Sequence, residues 1–325
     1  MPEKKVRAAL VQHPPVFLNL PKTLEKVEFL TEESARNGAK IVVFPETWAV
    51  GYPVWLDEAP KAALWDFAPA KRLYRYLTAN SLRIPSREFD FVCETAKKNE
   101  VYMVIGVHES AGGTLYNTLV YLTPEGGYKI HRKLVPTYTE RLIWGAGDGS
   151  TLNILETPYG ILGGLICWEH WMPLARAALH AKREAIHVCQ FPTVHERHQI
   201  ASRHYAFEGQ CHVLTSGCVL TKADVLEGFE SLGTNDKEVF ALLDSMEKDI
   251  LMRGGSAIIA PDMSYTAGPV FDEKCIIYGE LDLDLRAQGN LFLDTDGHYS
   301  RPDVFELRVN DKANRNVIFE SEKTF

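Results

Sequence analysis

The sequence has no Cys-x-x-Cys pair, no apolar run long enough to cross a membrane, and no Lys/Arg block long enough to neutralise a row of phosphates. Each absence removes a class of protein. Six cysteines scattered through 325 residues fit reduced thiols better than a disulfide framework or a zinc ribbon. A formal charge of -8 with a pI near 5.8 argues against a nucleic-acid partner. The amino end, Met1-Pro2-Glu3-Lys4-Lys5 and then six mostly apolar residues, is too short in its apolar part for a secretory signal. A cytosolic protein without a membrane or nucleic-acid partner is therefore expected.

What is present is apolar residue in quantity: 46% of the chain, ample for a large core. Val6–Gln12 reads as a buried strand, Pro21–Asn37 as an amphipathic helix closed by Gly38, and Ile41–Phe44 as a second buried strand. Helices are expected over Lys71–Ala79 and Pro85–Asn99, then strands over Tyr102–Val107 and Tyr116–Thr123, joined as a hairpin through Gly112-Gly113. Tyr128–Lys133 continues after a Pro-Glu-Gly-Gly turn, and Leu134–Gly149 is a long loop without a clear period. The alternation then repeats: helix Pro173–Lys182, strand Ala185–Gln190, helix Ile200–Gln210, strand Cys211–Leu220. A charged, helix-containing insertion is expected over Lys222–Arg253, followed by strands Ser256–Ala260 and Cys275–Leu281. Continuous apolar strands are buried on both faces, as in α/β layered folds. Two halves of similar order predict two sheets packed face to face with helices outside. One domain is expected over 1–284, with 285–325 as a C-terminal extension that docks on a partner or stays mobile.

The chemistry concentrates at Ile161-Leu162-Gly163-Gly164-Leu165-Ile166-Cys167, followed by Trp168-Glu169-His170-Trp171-Met172-Pro173. An uncharged run ends in a cysteine and a helix-starting Met-Pro follows, so Cys167 falls on a strand-to-helix turn, where a side chain is held rigidly yet reachable. On the turn alone Cys167 is either a nucleophile or a buried structural thiol. Glu46 also follows a strand end, where a solvated loop carboxylate is the plain alternative. Lys133 and Glu140 sit in the long loop region, where a surface charge is the plain alternative for the lysine. His195, His198 and His204 have some ligand-like spacing, but His195-Glu196-Arg197-His198 is not H-E-x-x-H. A metal-dependent enzyme is thus the minor alternative, beside a catalytically silent scaffold.

Taken together and in order, Val43-Phe44-Pro45-Glu46, His131-Arg132-Lys133-Leu134 with Glu140 downstream, and Cys167-Trp168-Glu169-His170 resemble the nitrilase superfamily of carbon-nitrogen hydrolases. The likeness extends from Val6 to about Asp303, and Cys-Trp-Glu-His with Thr139-Glu140-Arg141 is similar to the nitrilase branch. The resemblance implies a four-layer α-β-β-α sandwich of two mixed sheets and a Glu46, Lys133, Cys167 triad with Glu140 as an additional acid. It also implies hydrolysis of an organic nitrile to acid and ammonia, needing no cofactor and no metal, with amidase or amide-releasing hydratase activity as the alternative. Tyr52, Trp55, Thr137, Tyr138, Trp168, His170, Trp171 and Gln190 lie in segments expected to border the substrate, though aromatics there are as often core packing. The two helices Pro173–Lys182 and Ile200–Gln210 match those through which relatives form dimers, with Arg203, His204 and Glu208 for polar contacts, and the insertion and the tail are candidate surfaces for a larger spiral homo-oligomer.

Overall fold

Alternate residues of the leading strands are buried on opposite sides, and that parity generates the layers. In the computed structural model, which describes residues 5–315 and 317, the chain runs β1 (Lys5–Val11), α1 (Leu20–Arg36), β2 (Ile41–Val43), α2 (Trp55–Glu58), α3 (Ala68–Ala79), α4 (Arg87–Lys98), β3 (Tyr102–Ala111), β4 (Thr114–Leu122) and β5 (Tyr128–Arg132). It continues as β6 (Leu155–Thr157), β7 (Gly160–Ile166), α5 (Pro173–His180), β8 (Ile186–Gln190), α6 (Glu196–Gly209), β9 (His212–Ser216), β10 (Val219–Thr221), α7 (Lys222–Glu230), α8 (Lys237–Asp244), β11 (Ile250–Ile259), β12 (Tyr265–Phe271), β13 (Ile276–Asp282) and α9 (Asp284–Gly289). Ala9, Val11, Val42, Met103 and Ile105 face one core with α1 and α4. Val6, Ala8, Leu10, Ile41, Val43 and Val104 face the other, shared with the second sheet. Since a strand's side chains alternate with period two, both faces must be covered.

One sheet has the order β13-β1-β2-β3-β4-β5 and the other β10-β11-β9-β8-β7-β6, with β12 paired to β11. Both are mixed: β1, β2 and β3 are mutually parallel, as are β7, β8 and β9, and antiparallel strands complete the edges. β13, last in sequence, pairs with β1 along its whole length, Lys5 opposite Asp282 through Val11 opposite Ile276, and so closes the first sheet with the chain's far end. Where β4 meets β7, the hydroxyl of Tyr121 donates to the carbonyl of Gly164 at 3.4 Å. A Cβ at Gly164 would press on Leu119 and the Val188 carbonyl, so a glycine here lets the sheets approach. The result is the expected sandwich of two sheets with helices on the outside.

Two stretches differ from the sequence reading. The helix-containing insertion expected over Lys222–Arg253 holds α7 and α8, which bury Val225, Phe229, Val239 and Leu243 in the first core with Arg72 of α3 clamping Asp236 at 2.7 Å, but its end differs, since β11 already starts at Ile250. The strand expected over Cys211–Leu220 divides into β9 and β10, with Gly217-Cys218 between them. Beyond α9, residues up to Asn314 lie against their own chain. Asp296 pairs with Arg183 at 3.0 Å, Thr295 donates to the Glu208 carbonyl, and the Asn314 N–H reaches Asp148 at 2.7 Å.

Candidate active site

Glu46, Lys133 and Cys167 each follow the carboxyl end of a strand: β2, β5 and β7. Glu46 lies on a tight turn that bridges the sheets. Its N–H reaches the Phe191 carbonyl just after β8 at 3.4 Å, Thr47 has φ 44°, and a side chain at Gly106 of β3 would collide with Pro45 and Thr47. Lys133 continues the β4–β5 pairing, its N–H donating to the Asn117 carbonyl at 2.8 Å. Cys167 has φ 53°, a left-handed conformation that costs a non-glycine residue of order 1–3 kcal/mol, and begins a single 3-10 turn over Cys167–Trp171. The sulfur is thereby held out of the strand at the junction of the two sheets.

The three segments converge. Lys133 Nζ donates to Glu46 Oε1 at 2.8 Å and to Glu140 Oε2 at 2.7 Å, and an oxygen of Glu46, an oxygen of Glu140 and the Cys167 sulfur lie within 4.8 Å of one another. All four side chains are buried. Glu46 Oε1 also accepts from Asn117 Nδ2 at 2.6 Å, whereas Oε2 has no hydrogen-bond partner among the described residues. Glu140 is fixed by the Thr137 N–H at 2.6 Å and the Tyr52 hydroxyl at 2.9 Å. Burial, opposed by the Lys133 ammonium and reinforced by Glu140, pushes the Glu46 carboxyl up to about 7. Burial alone would lower Lys133, yet the charges of Glu46, Cys167 and Glu140 hold it protonated above its ordinary value. Burial and Glu46 raise the Cys167 thiol well above its usual range, partly offset by Lys133 and by the backbone of Trp168. The arrangement is thus a resting thiol, a base of near-neutral pKa with an open acceptor oxygen, and a fixed cation.

Cys167 and Glu140 open onto a cavity of about 320 Å³ whose walls come mostly from connections and short helical turns, with Tyr52, Val54 and Asp57, Thr137, Tyr138 and Thr139, Trp168, and Pro192, Thr193 and His195, completed by Leu251 and Met252 at the start of β11. Of the expected substrate neighbours, Tyr52, Thr137, Tyr138 and Trp168 line this cavity. Trp55, His170, Trp171 and Gln190 do not. Trp55 is 2% exposed and packs edge-on to Phe17 in the first core. Gln190 donates to the Phe44 carbonyl at 2.7 Å, tying β8 to β2. His170 turns inward, to the Cys167 carbonyl at 2.7 Å, while Trp171, three residues after Trp168 and so on the same side of the 3-10 turn, lies against its ring with centres 5.0 Å apart. His195 and His198 border the cavity, but His198 Nδ1 accepts from the His195 N–H at 2.9 Å and His204 is exposed toward Glu208. Among the described residues, the groups close enough to share an ion are Glu46, Glu140, Cys167 and His170, His187, Cys189, and neither includes these histidines.

Two residues of the site carried no role in the sequence reading. Glu169, buried, accepts from the N–H groups of Ile166 and Leu134, both at 2.7 Å, and faces His131 at 2.9 Å; it locks the cysteine turn to the lysine strand. Burial would raise its carboxyl, but His131 and the two N–H groups hold it low. It stood inside the cysteine motif, so a signal existed. Asn117 lies in the middle of a hairpin strand, and nothing local marks it.

With this geometry in view, comparison with known proteins agrees. The carbon-nitrogen hydrolase family pattern matches residues 7–289. The chain is 38% identical to an aliphatic nitrilase of Sinorhizobium fredii (strain HH103) over 97% of this chain and 98% of that one. It is also 38% identical to nitrilase 2 of Arabidopsis thaliana over 98% and 92%, and to a bifunctional nitrilase/nitrile hydratase of Lupinus angustifolius over 98% and 90%. A carbon-nitrogen hydrolase from Helicobacter pylori G27 superposes with a TM-score of 0.66 at 18% identity, covering 94% of this chain and 98% of that one, which shows the shared fold. A sandwich with an acid, a lysine and a cysteine gathered at its strand ends, matched along nearly its whole length by such relatives, belongs to the carbon-nitrogen hydrolase family of the nitrilase superfamily.

Proposed function

We propose that the protein is a nitrilase, converting an organic nitrile and two waters to a carboxylic acid and ammonia through covalent attachment to Cys167. The observation that carries this reading is the unpartnered Oε2 of Glu46, an acceptor in a cluster whose acid and sulfur atoms lie within 4.8 Å. Glu46 takes the thiol proton as sulfur attacks the nitrile carbon and returns it to the nitrogen, giving a thioimidate. Lys133 and the Trp168 N–H stabilise the charge that develops on nitrogen and later on oxygen. Water, oriented by Glu140 and deprotonated by Glu46, adds to the thioimidate, ammonia leaves, and a second water cleaves the thioester and restores the thiol. The apolar wall of Val54, Leu251, Met252, Tyr138 and Trp168 suits a medium-sized organic nitrile.

A panel of aliphatic, aryl and arylacetonitrile substrates, assayed for ammonia and amide with Cys167→Ala as control, tests the reading. Ammonia stoichiometric with acid, absent in the control, supports it; turnover of amides alone would replace it by an amidase. The Lupinus relative, described as both nitrilase and nitrile hydratase, favours a minor amide product, formed when the tetrahedral intermediate expels sulfur before ammonia. We also propose a cytoplasmic homo-oligomer. All six cysteines are free, no described helix is long and apolar enough to cross a membrane, and Leu174, Ile200 and Phe207 on α5 and α6 are exposed, an apolar face suited to a two-fold contact. The extension after Asp284, with Leu291, Phe292 and Phe305 exposed, is a further contact surface for larger assemblies. Light scattering that returned a monomer would remove both surfaces.

A further inference from the structure

Behind the cysteine turn, on the side away from the cavity, lies a second buried polar cluster that the reaction as written does not use. His170 Nδ1 faces the Cys167 carbonyl at 2.7 Å, His170 Nε2 faces His187 Nε2 at 3.1 Å, His187 Nδ1 faces Glu184 Oε1 at 2.9 Å, and the Tyr205 hydroxyl donates to Glu184 Oε2 at 2.6 Å. The two histidines and Glu184 are buried, as is Tyr205, whose ring stacks on His187 with centres 3.6 Å apart. The seat is built for this chain: a side chain at Gly163 of β7 would occupy the place of the Glu184 carboxylate.

Hydrogen-bond bookkeeping fixes its protons. A carbonyl oxygen only accepts, so His170 Nδ1 donates to Cys167, and burial, which holds His170 well below its ordinary value, leaves its Nε2 a lone pair. His187 Nε2 must therefore donate to His170. Its Nδ1 then either accepts from a protonated Glu184 or donates, as imidazolium, to the carboxylate. Both forms have the same proton count and leave every facing atom satisfied. Cys189 also lies near the two rings, and burial pushes its thiol above its ordinary range.

The Cys167–Trp168 peptide is not among the cis bonds, and in a trans peptide the carbonyl and the N–H point in opposite directions. Pinning the Cys167 carbonyl from behind therefore turns the Trp168 N–H to the opposite side, where its effect is to lower the Cys167 thiol. We infer that His170, steadied by His187 and Glu184, is a positioning residue that orients the Trp168 N–H toward the charge that develops during attack at Cys167. This rests on Cys167 being the nucleophile. It acts through a peptide plane and does not touch substrate.

The test compares His170→Ala with His170→Asn. The amide nitrogen of an asparagine is as many bonds from Cα as Nδ1 of histidine, so it can donate to the Cys167 carbonyl but cannot reach His187. The expected result is a fall in kcat of about 10- to 100-fold for the alanine variant with KM nearly unchanged, short of the roughly 10²- to 10³-fold lost when a charge-stabilising donor is itself deleted. The asparagine variant regains most of that rate although both variants lose thermal stability, and the rate of Cys167 alkylation by iodoacetamide follows the same order. His170→Leu fills similar space without a donor and gives the same comparison if the alanine form does not fold. An unchanged kcat without the donor, or an asparagine variant as slow as the alanine one, overturns the inference. An active Cys167→Ala would instead overturn the nucleophile beneath it.

Discussion

The turn that carries Cys167 has two buried polar faces, and they are built to opposite specifications. In front, Lys133 is one cation shared between Glu46 and Glu140, and Glu46 Oε2 has no partner among the described residues. Behind, the chain from His170 through His187 and Glu184 to Tyr205 fills each donor and acceptor that faces another and is sealed from solvent. An unfilled buried acceptor is destabilising, and its presence in front is what the proposed role of Glu46 as proton acceptor requires. A filled network resists change, which suits a part that must hold still. The distinction between reacting and holding clusters thus lies in their unspent hydrogen-bonding capacity, since both are rich in titratable groups.

That contrast can be broken most severely at the sulfur. Cys167→Ala should abolish nitrile turnover and shift the melting temperature little, since one buried atom is lost and the backbone is retained; near-normal activity would remove the front face from the chemistry. Glu46→Gln should lower kcat by about 10²- to 10⁴-fold, the usual contribution of a placed proton acceptor. The wild-type kcat/KM should fall as pH drops through about 7, where the raised Glu46 carboxyl takes up a proton and ceases to be a base, and this acid limb should be missing in the variant. A flat wild-type profile between pH 6 and 8 would contradict the assignment. Glu169→Gln comes next, because one oxygen becomes a donor facing N–H groups that need acceptors. It should cost about 1–3 kcal/mol of stability by denaturant titration and lower kcat more than it raises KM. The smallest catalytic effect is expected behind: Tyr205→Phe removes one bond to Glu184, costing about 1.5–3 kcal/mol in unfolding measurements with kcat within several-fold of normal. A large loss of kcat there would erase the division between the faces.

The sequence made the front face legible and the rear face invisible, for a physical reason. Glu46 and Cys167 each follow an apolar strand, where a polar residue is conspicuous, whereas Lys133 follows the polar, partly exposed β5 and was legible only through its motif. Strands β1, β2, β7 and β8 declared themselves by continuous apolar runs because both faces are covered. His187 lies inside β8, Glu184 just before it and Tyr205 within α6, where single polar residues carry no pattern. His170 and Trp171 were read as cavity residues from chain proximity alone, whereas the first turns inward to the Cys167 carbonyl and the second lies against Trp168, three residues earlier in the same 3-10 turn. Trp55 failed similarly, because a segment can border a cavity while its largest side chain fills the core. β12, Tyr265–Phe271, went unread since Gly268 and Pro269 interrupt it and most of its residues are partly exposed.

The proposed reacting groups follow strand ends, but most of the cavity wall is assembled from other stretches, around Tyr52–Asp57, Thr137–Thr139, Pro192–His198 and the start of β11 at Leu251 and Met252. Chemistry and fit are therefore encoded in different stretches of the gene product. A lineage, or an engineer, can retailor what the enzyme accepts by editing loops one at a time while the bond-breaking apparatus is inherited intact.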